Sequence, residues 1–248
     1  MEKDYSQLTT NSANLSNRLK LNSTTQKIDF SSWLFGVLPK FRNTSNILDL
    51  GCGSGNQTEY FLKNLNDKGS VKAIDASQES LNKIAYDERL EKFAIDFDDF
   101  NEIEKALGND KFDLINSTYA IYYSKDPLGL ISFLKNNYLS ESGKFVIAGP
   151  TWEHELFTEI TENFGENLTV KKTIDFMESE LKPMVRNSLE IFSLNYLINL
   201  TEFNSVDEAL LFMKNTTYGS HINDKNLKKF FQTRNSLKFK KSSIAICF

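Results

Sequence analysis

Three glycines at alternate positions, Gly51, Gly53 and Gly55, follow directly on the apolar run Ile47, Leu48 and Leu50. Two carboxylates bracket the loop, Asp49 before the first glycine and Asp75 a little over twenty residues beyond it. Glycine takes positive φ freely and lets a ligand approach the backbone. The stretch Asn56 to Asn64 has helical spacing, so the loop opens a helix whose first N–H groups face a ligand. The chemistry on offer is the binding of a nucleotide-like cofactor. A dinucleotide fingerprint has glycine or alanine at the sixth place of GxGxxG; here that place is Asn56 and the spacing is GxGxG, which counts against NAD and FAD.

The elements that must position these residues are legible downstream. Ser70 to Ile74 reads as a strand ending in Asp75, Lys92 to Ile95 as a short strand followed by Asp96 and Phe97, Phe112 to Ser117 as a fourth, and Gly143 to Ala148 as a fifth. Strands alternating with helical segments predict a parallel sheet with helices on both faces. Right-handed crossovers then bring every strand end, and the loop after it, to one edge. A carboxylate at position 75 can accept two ribose hydroxyls in charge-assisted bonds of about 1.5–3 kcal/mol. Each piece has a plainer reading beside it: an Asp ending a strand also serves as a helix cap, and Asp96 lies in an acidic run with Asp98 and Asp99.

The ordered segments ILDLGCGSG, AIDASQESL, FDLINS and GKFVIA resemble motifs I, II and IV and the following strand of the class I S-adenosylmethionine-dependent methyltransferases. The resemblance implies a Rossmann-like α/β fold, a seven-stranded, mostly parallel sheet whose antiparallel last strand is inserted into it. The last two strands are placed at about 189 to 199 and 238 to 248. It implies S-adenosyl-L-methionine as cofactor and S-adenosyl-L-homocysteine as product. It places Asp49 near the methionine end, Gly51, Cys52, Gly53 and Gly55 around the cofactor, and Asp75 with Ala76 and Ser77 at the ribose. Asp96 would accept from the adenine amine, Phe97 would pack on the purine, and Asn116 marks motif IV. The texts NRLKLNSTTQKIDFSSWLF, NSTYAIYYSKDP and NLTEFNSVDEALLFMKNTTYGS resemble a group of bacterial small-molecule methyltransferases. Asn116 to Tyr119, NSTY, shares only its ends with the (N/D/S)PPY motif of amino-group methyltransferases and lacks both prolines.

Around this core the chain divides into a helical N-terminal cap over 1–45, a cofactor-binding core over 46–150, and acceptor-side helices with the last two strands over 151–248, together one domain. In the cap, Ile28, Trp33, Leu34, Val37 and Leu38 have helical spacing before Pro39. Trp152 to Phe164, Val206 to Thr216 and Ile222 to Ser236 read as helices, and Glu178 to Asn187 as a helix broken at Pro183. Methyl transfer is an in-line displacement for which orientation supplies up to about 7–11 kcal/mol, so no covalent nucleophile is required. A base for a hydroxyl or ammonium acceptor is expected from the loops after strands four and five. Tyr119, Tyr122 and Tyr123 follow the fourth strand, and Trp152, Glu153 and His154 the fifth. His154 is the preferred general base because imidazole titrates near pH 6.5, with a surface or capping histidine as the alternative. Tyr123 is the residue expected to orient the acceptor, with helix-packing aromatics as the alternative. Tyr218, His221, Tyr5 and Arg18 are further candidates.

The chain of 248 residues carries a net charge of −4, without the concentrated basic surface that nucleic acid requires. No run of about eighteen apolar residues is present and the first residues lack a signal-peptide pattern, so a cytoplasmic protein is expected, monomeric or homodimeric. The two cysteines, Cys52 and Cys247, have no metal-ligand spacing and read as small buried residues; no metal is expected. The expected activity is methyl transfer to a small-molecule acceptor, at oxygen before nitrogen. The alternatives are an RNA or protein methyltransferase, a non-catalytic cofactor-binding homologue and, from another class, an NAD-dependent dehydrogenase.

Overall fold

The computed structural model describes residues 24–165, 168–188, 191–216 and 218–248; Tyr5 and Arg18 lie outside them. A capped helix comes first, α1 (Phe30–Val37), whose N-cap Asp29 accepts from the Ser32 N–H. Then strands and helices alternate: β1 (Asn46–Leu50), α2 (Asn56–Asn64), β2 (Ser70–Asp75), α3 (Gln78–Leu81), β3 (Leu90–Ala94), α4 (Phe100–Leu107), β4 (Phe112–Thr118), α5 (Pro127–Tyr138) and β5 (Leu139–His154). The C-terminal part holds α6 (Glu155–Phe164), α7 (Leu168–Asp175), α8 (Lys182–Ser188), β6 (Ser193–Leu197), β7 (Leu200–Glu202), α9 (Val206–Lys214), α10 (Asp224–Gln232) and β8 (Lys238–Cys247).

The strands form one sheet in the order β3-β2-β1-β4-β5-β8-β6, with β7 beside β8. Neighbours from β3 to β5 are parallel, whereas β8 runs antiparallel to β5 and to β6. The last strand is therefore the reversed one, inserted as the sequence implies. The sheet has eight strands rather than the seven expected, because the strand begun at β6 breaks at Asn199 and resumes as β7. Asn199 supplies the reason: its Oδ1 accepts from the N–H groups of Ile28 and Leu200, and its Nδ2 donates to the Ile28 carbonyl at 2.7 Å. A side chain that takes two backbone N–H groups competes with the ladder.

Side chains alternate across the sheet, and the two faces are covered differently. One face carries Ile47, Val71, Leu114, Val146 and Cys247 under Phe61 and Leu62 of α2; farther along it, the paired Ala148 and Ala245 make room for Leu34 of α1. The opposite face carries Leu48, Leu50, Ile74, Ile115, Ile147 and Ile244 under α4, α5 and the segment from Phe176 to Val185. Each fully buried Leu, Ile or Phe contributes about 1.5–3 kcal/mol from its removal from water.

Two local expectations give way. The break at Pro183 is absorbed: a wide π turn, Phe176–Leu181, joins α7 to α8, and the Lys182 N–H reaches back five residues to the Met177 carbonyl. The proline thus sits two residues past the end of a turn already loosened to receive it. Strand β5 also runs on past Ala148 to His154, so Trp152, Glu153 and His154 belong to the strand and the helix starts only at Glu155. β8 supplies partners as far as Lys241, with a register shift between Pro150 and His154 that absorbs the proline as a bulge does.

On these extensions stands a second apolar cluster: Leu156, Phe157 and Ile160 of α6, Phe212 of α9, Phe231 of α10 and Phe239 of β8. Arg234 fastens it, its guanidinium paired with both carboxylate oxygens of Glu159 and lying over the rings of Phe230 and Phe239. Among the described residues no helix is long and apolar enough to cross a membrane.

Candidate active site

The glycine turn lies at the carboxyl end of β1 and is strapped to β2: the N–H groups of Gly51 and Cys52 both donate to the Ile74 carbonyl, at 2.7 and 3.1 Å. Gly51, Gly53 and Gly55 all have positive φ. At Gly51 the requirement is also steric, since a Cβ there would lie 2.2 Å from the Ala120 Cβ and 3.8 Å from Cε1 of Phe97. The loop after β4 and the residue after Asp96 thus both close on this glycine. Cys52 is buried, and burial pushes its thiol above the ordinary range.

Asp75 holds the other side of the turn. Its Oδ2 accepts from the Gly53 N–H and its Oδ1 from the Ser77 N–H, both at 2.8 Å. A carboxylate oxygen accepts more than one bond, so both keep lone pairs for further donors. Burial raises its pKa despite these two bonds.

Asp49 is 1 % exposed. Thr58 Oγ donates to its Oδ2 at 2.6 Å and Asn116 Nδ2 to its Oδ1 at 2.8 Å. Burial raises its pKa to about 6, with the Thr58 and Asn116 bonds opposing and the charge of Asp75 adding. No cation is among those causes, which leaves a buried carboxylate suited to a cationic group. Asn116 stands behind Asp49, its amide nitrogen donating to it and its oxygen accepting from Thr118 Oγ.

Asp96 precedes Phe97 and accepts at Oδ1 from the Asp98 N–H. Asp98, which the sequence offers only as a neighbour in an acidic run, accepts from Ser124 Oγ at 2.6 Å and the Lys125 N–H at 3.0 Å. It ties the loop after β3 to the loop after β4. Ten of the sequence candidates therefore gather around one turn: Asp49, Gly51, Cys52, Gly53, Gly55, Asp75, Ala76, Ser77, Phe97 and Asn116. Asp96 flanks them.

The acceptor-side candidates are dispersed. Tyr123, 37 % exposed, ends a 3₁₀ turn after β4 and stacks edge-on against Tyr122 at 4.9 Å. Trp152 is largely exposed, with Nε1 donating to Asp175 at 3.3 Å. His154 lies beyond Ala148, the partner of the last residue of β4; their own partners on β8, Lys241 and Ala245, are four residues apart, or roughly 13 Å along the strand. It is buried, caps α6 by accepting from the Phe157 N–H at Nδ1, and sits between the rings of Phe157 and Tyr218. Burial, then the charge of Lys241, lowers its pKa to about 3. Tyr218 belongs to the same cluster and His221 is exposed.

A parallel sheet with one inserted antiparallel strand, a glycine turn after its first strand and carboxylates at the ends of the first two define a Rossmann-like methyltransferase. The family model described as a methyltransferase domain matches residues 42–191, and the chain belongs to that family. Comparison with curated protein sequences gives no match. Among solved structures the fold is similar to a candidate methyltransferase of Bacillus halodurans C-125, with a TM-score of 0.58 and 14 % identity, covering 89 % of this chain and 98 % of that one. It is also similar to the YcgJ protein of Bacillus subtilis, with a TM-score of 0.57, 15 % identity and coverages of 88 % and 96 %. A candidate type II methyltransferase of Anaeromyxobacter dehalogenans gives 0.55, 12 %, 88 % and 92 %.

The protein is an S-adenosylmethionine-dependent methyltransferase. Its residues fit the cofactor: a buried carboxylate for a cationic group, a second with free lone pairs for a diol, and between them a glycine turn that has no room for a side chain at Gly51.

Proposed function

We propose that the whole chain works as one domain that methylates a small-molecule acceptor, at oxygen before nitrogen. Bound S-adenosylmethionine supplies a methyl carbon on a sulfonium, open to in-line attack. In this reading Asp49 holds the ammonium of the methionine end, Asp75 the ribose hydroxyls, Asp96 the adenine amine, and Phe97 packs beside the purine. Tyr123, part-exposed on the loop that closes on Gly51, orients the acceptor. The N–H groups of the glycine turn are committed to Ile74 and Asp75, so the turn enters the reaction already ordered, which is how orientation lowers a barrier.

The observation that carries the preference for oxygen is the commitment of Asn116. Its side chain is turned to Asp49 and Thr118, and the NSTY segment that it opens lacks both prolines of the amino-group motif. A small acceptor is favoured by the second apolar cluster, which the extended β5 and β8 hold beyond the carboxyl edge of the sheet, and by the net charge of −4. For His154 we favour the capping role over that of general base, since its Nδ1 is occupied and burial lowers its pKa to about 3, which leaves the imidazole a poor proton acceptor.

Calorimetric titration with S-adenosylhomocysteine, followed by labelled-methyl transfer to a small-molecule extract, to total RNA and to protein, tests the reading. Label in the small-molecule fraction is expected. Label confined to RNA or protein would sink it.

A further inference from the structure

Tyr119 follows β4 directly and is, among the described residues, the one non-glycine with positive φ, at 54°. A left-handed conformation is strained for a residue with a side chain, and glycine would adopt it freely. Three contacts with described residues surround Tyr119. Its N–H donates to the Ala148 carbonyl at 2.8 Å, its hydroxyl shares a 2.7 Å hydrogen bond with Ser243 Oγ of β8, and its ring meets Phe30 of α1 edge-on at 5.3 Å. Ser243 is buried and pairs with Pro150, two residues beyond Ala148. The tyrosine side chain therefore reaches from the end of β4 across β5 to the inserted strand. It runs along the face on which α1 sits over Ala148 and Ala245.

The consequence falls on the next residue. Ala120 is the side chain whose Cβ occupies the space beside Gly51, and its place is set by the direction in which Tyr119 turns the chain. An extended residue at 119 would carry Ala120 along β4 and away from the glycine turn. We infer that Tyr119 is a positioning residue: anchored by Ser243 and braced by Phe30, it holds the turn that presses Ala120 onto Gly51, and so links the seating of the cap helix to the shape of the cofactor crevice. The inference rests on the crevice reading above and adds a device outside it, because neither Tyr119 nor Ser243 is placed against the cofactor.

The test is calorimetric titration of S-adenosylhomocysteine into the wild-type chain, Tyr119→Phe, Ser243→Ala and the double variant, with melting temperatures recorded alongside. Each single variant removes one end of the same hydrogen bond, so each should weaken binding about three- to tenfold, and the double variant no more than either single one. A purely structural role would lower the melting temperature and leave affinity well below it unchanged. Should Tyr119→Phe fail to fold, Ser243→Ala reads the same bond from the other end. Tight binding by the wild type with affinities of both single variants within twofold of it would overturn the inference alone, as would additive losses in the double variant. A folded wild type that does not bind S-adenosylhomocysteine would remove the crevice reading and this inference with it.

Discussion

Replacing Asp49 by Asn should make the free protein more stable and its cofactor binding weaker. The buried carboxylate has its pKa raised from an ordinary 3.8 to about 6, and each pH unit of such a rise is worth about 1.36 kcal/mol. Above pH 6 the ionised group therefore costs the free protein on the order of 3 kcal/mol. The sign follows from the folded value lying above the unfolded one. The cost is absent below about pH 4, grows between about 4 and 6, and is constant above. Asn keeps the shape, can accept from Asn116 Nδ2, and can donate to Thr58 Oγ once that hydroxyl rotates. At pH 8 the variant should melt roughly 6–12 °C higher, at about 2–4 °C per kcal/mol for a chain of this length, and the gain should vanish by about pH 4. The same variant should lose at least tenfold in S-adenosylhomocysteine affinity, having no charge for the ammonium. Scanning calorimetry across pH and isothermal titration measure the two halves. An unchanged or lower melting temperature at pH 8, or a gain independent of pH, would refute the reasoning.

Asp75→Ala removes both the partner of Gly53 and the proposed acceptor for the ribose; a loss of more than tenfold in cofactor affinity is expected, and unchanged affinity in titration would take the residue out of the site. Gly51→Ala places a Cβ 2.2 Å from that of Ala120 on a residue with φ of 69°. It should cost about 2–4 kcal/mol in denaturant unfolding and abolish detectable binding; a wild-type unfolding curve would contradict the geometry. His154→Asn should keep the cap of α6, while His154→Ala should lose about 1 kcal/mol or more. Neither should change the pH profile of the rate, whereas loss of turnover in a normally stable Asn variant would restore the histidine as base.

The cofactor half was legible because its chemistry is local. Gly51, Gly53 and Gly55 are demanded by backbone conformation within a few residues, and α2 and β2 match their expected limits closely. What escaped depends on distant partners. The strand is expected to end at Ala148, and Gly149 and Pro150 are residues that strands disfavour; it continues because β8, almost a hundred residues later, offers it a ladder. Pro183 reads as a helix breaker, yet a π turn that ends two residues earlier accommodates it. His154 is expected on the loop after the fifth strand; the length of β5 keeps it in the strand and takes it away from the glycine turn. Tyr119 carried no local sign of its left-handed backbone, since tyrosine is a poor guess for such a position and its hydroxyl finds its partner 124 residues away.

The acceptor-side helices α9 and α10 leave and rejoin the sheet at a single rung. Glu202 and Lys238 are ladder partners joined by a 2.8 Å ion pair, and the Phe203 N–H donates to the Leu237 carbonyl at 3.1 Å. Residues 203–237 are thus an excursion whose two ends are already held together, so their exchange for a shorter or longer segment would meet a closed hairpin and change loop-closure entropy only slowly with length. For a protein engineer this makes the excursion a cassette. Its replacement would alter one wall beyond the sheet while the glycine turn and its two carboxylates, on strands at the other side, keep their register.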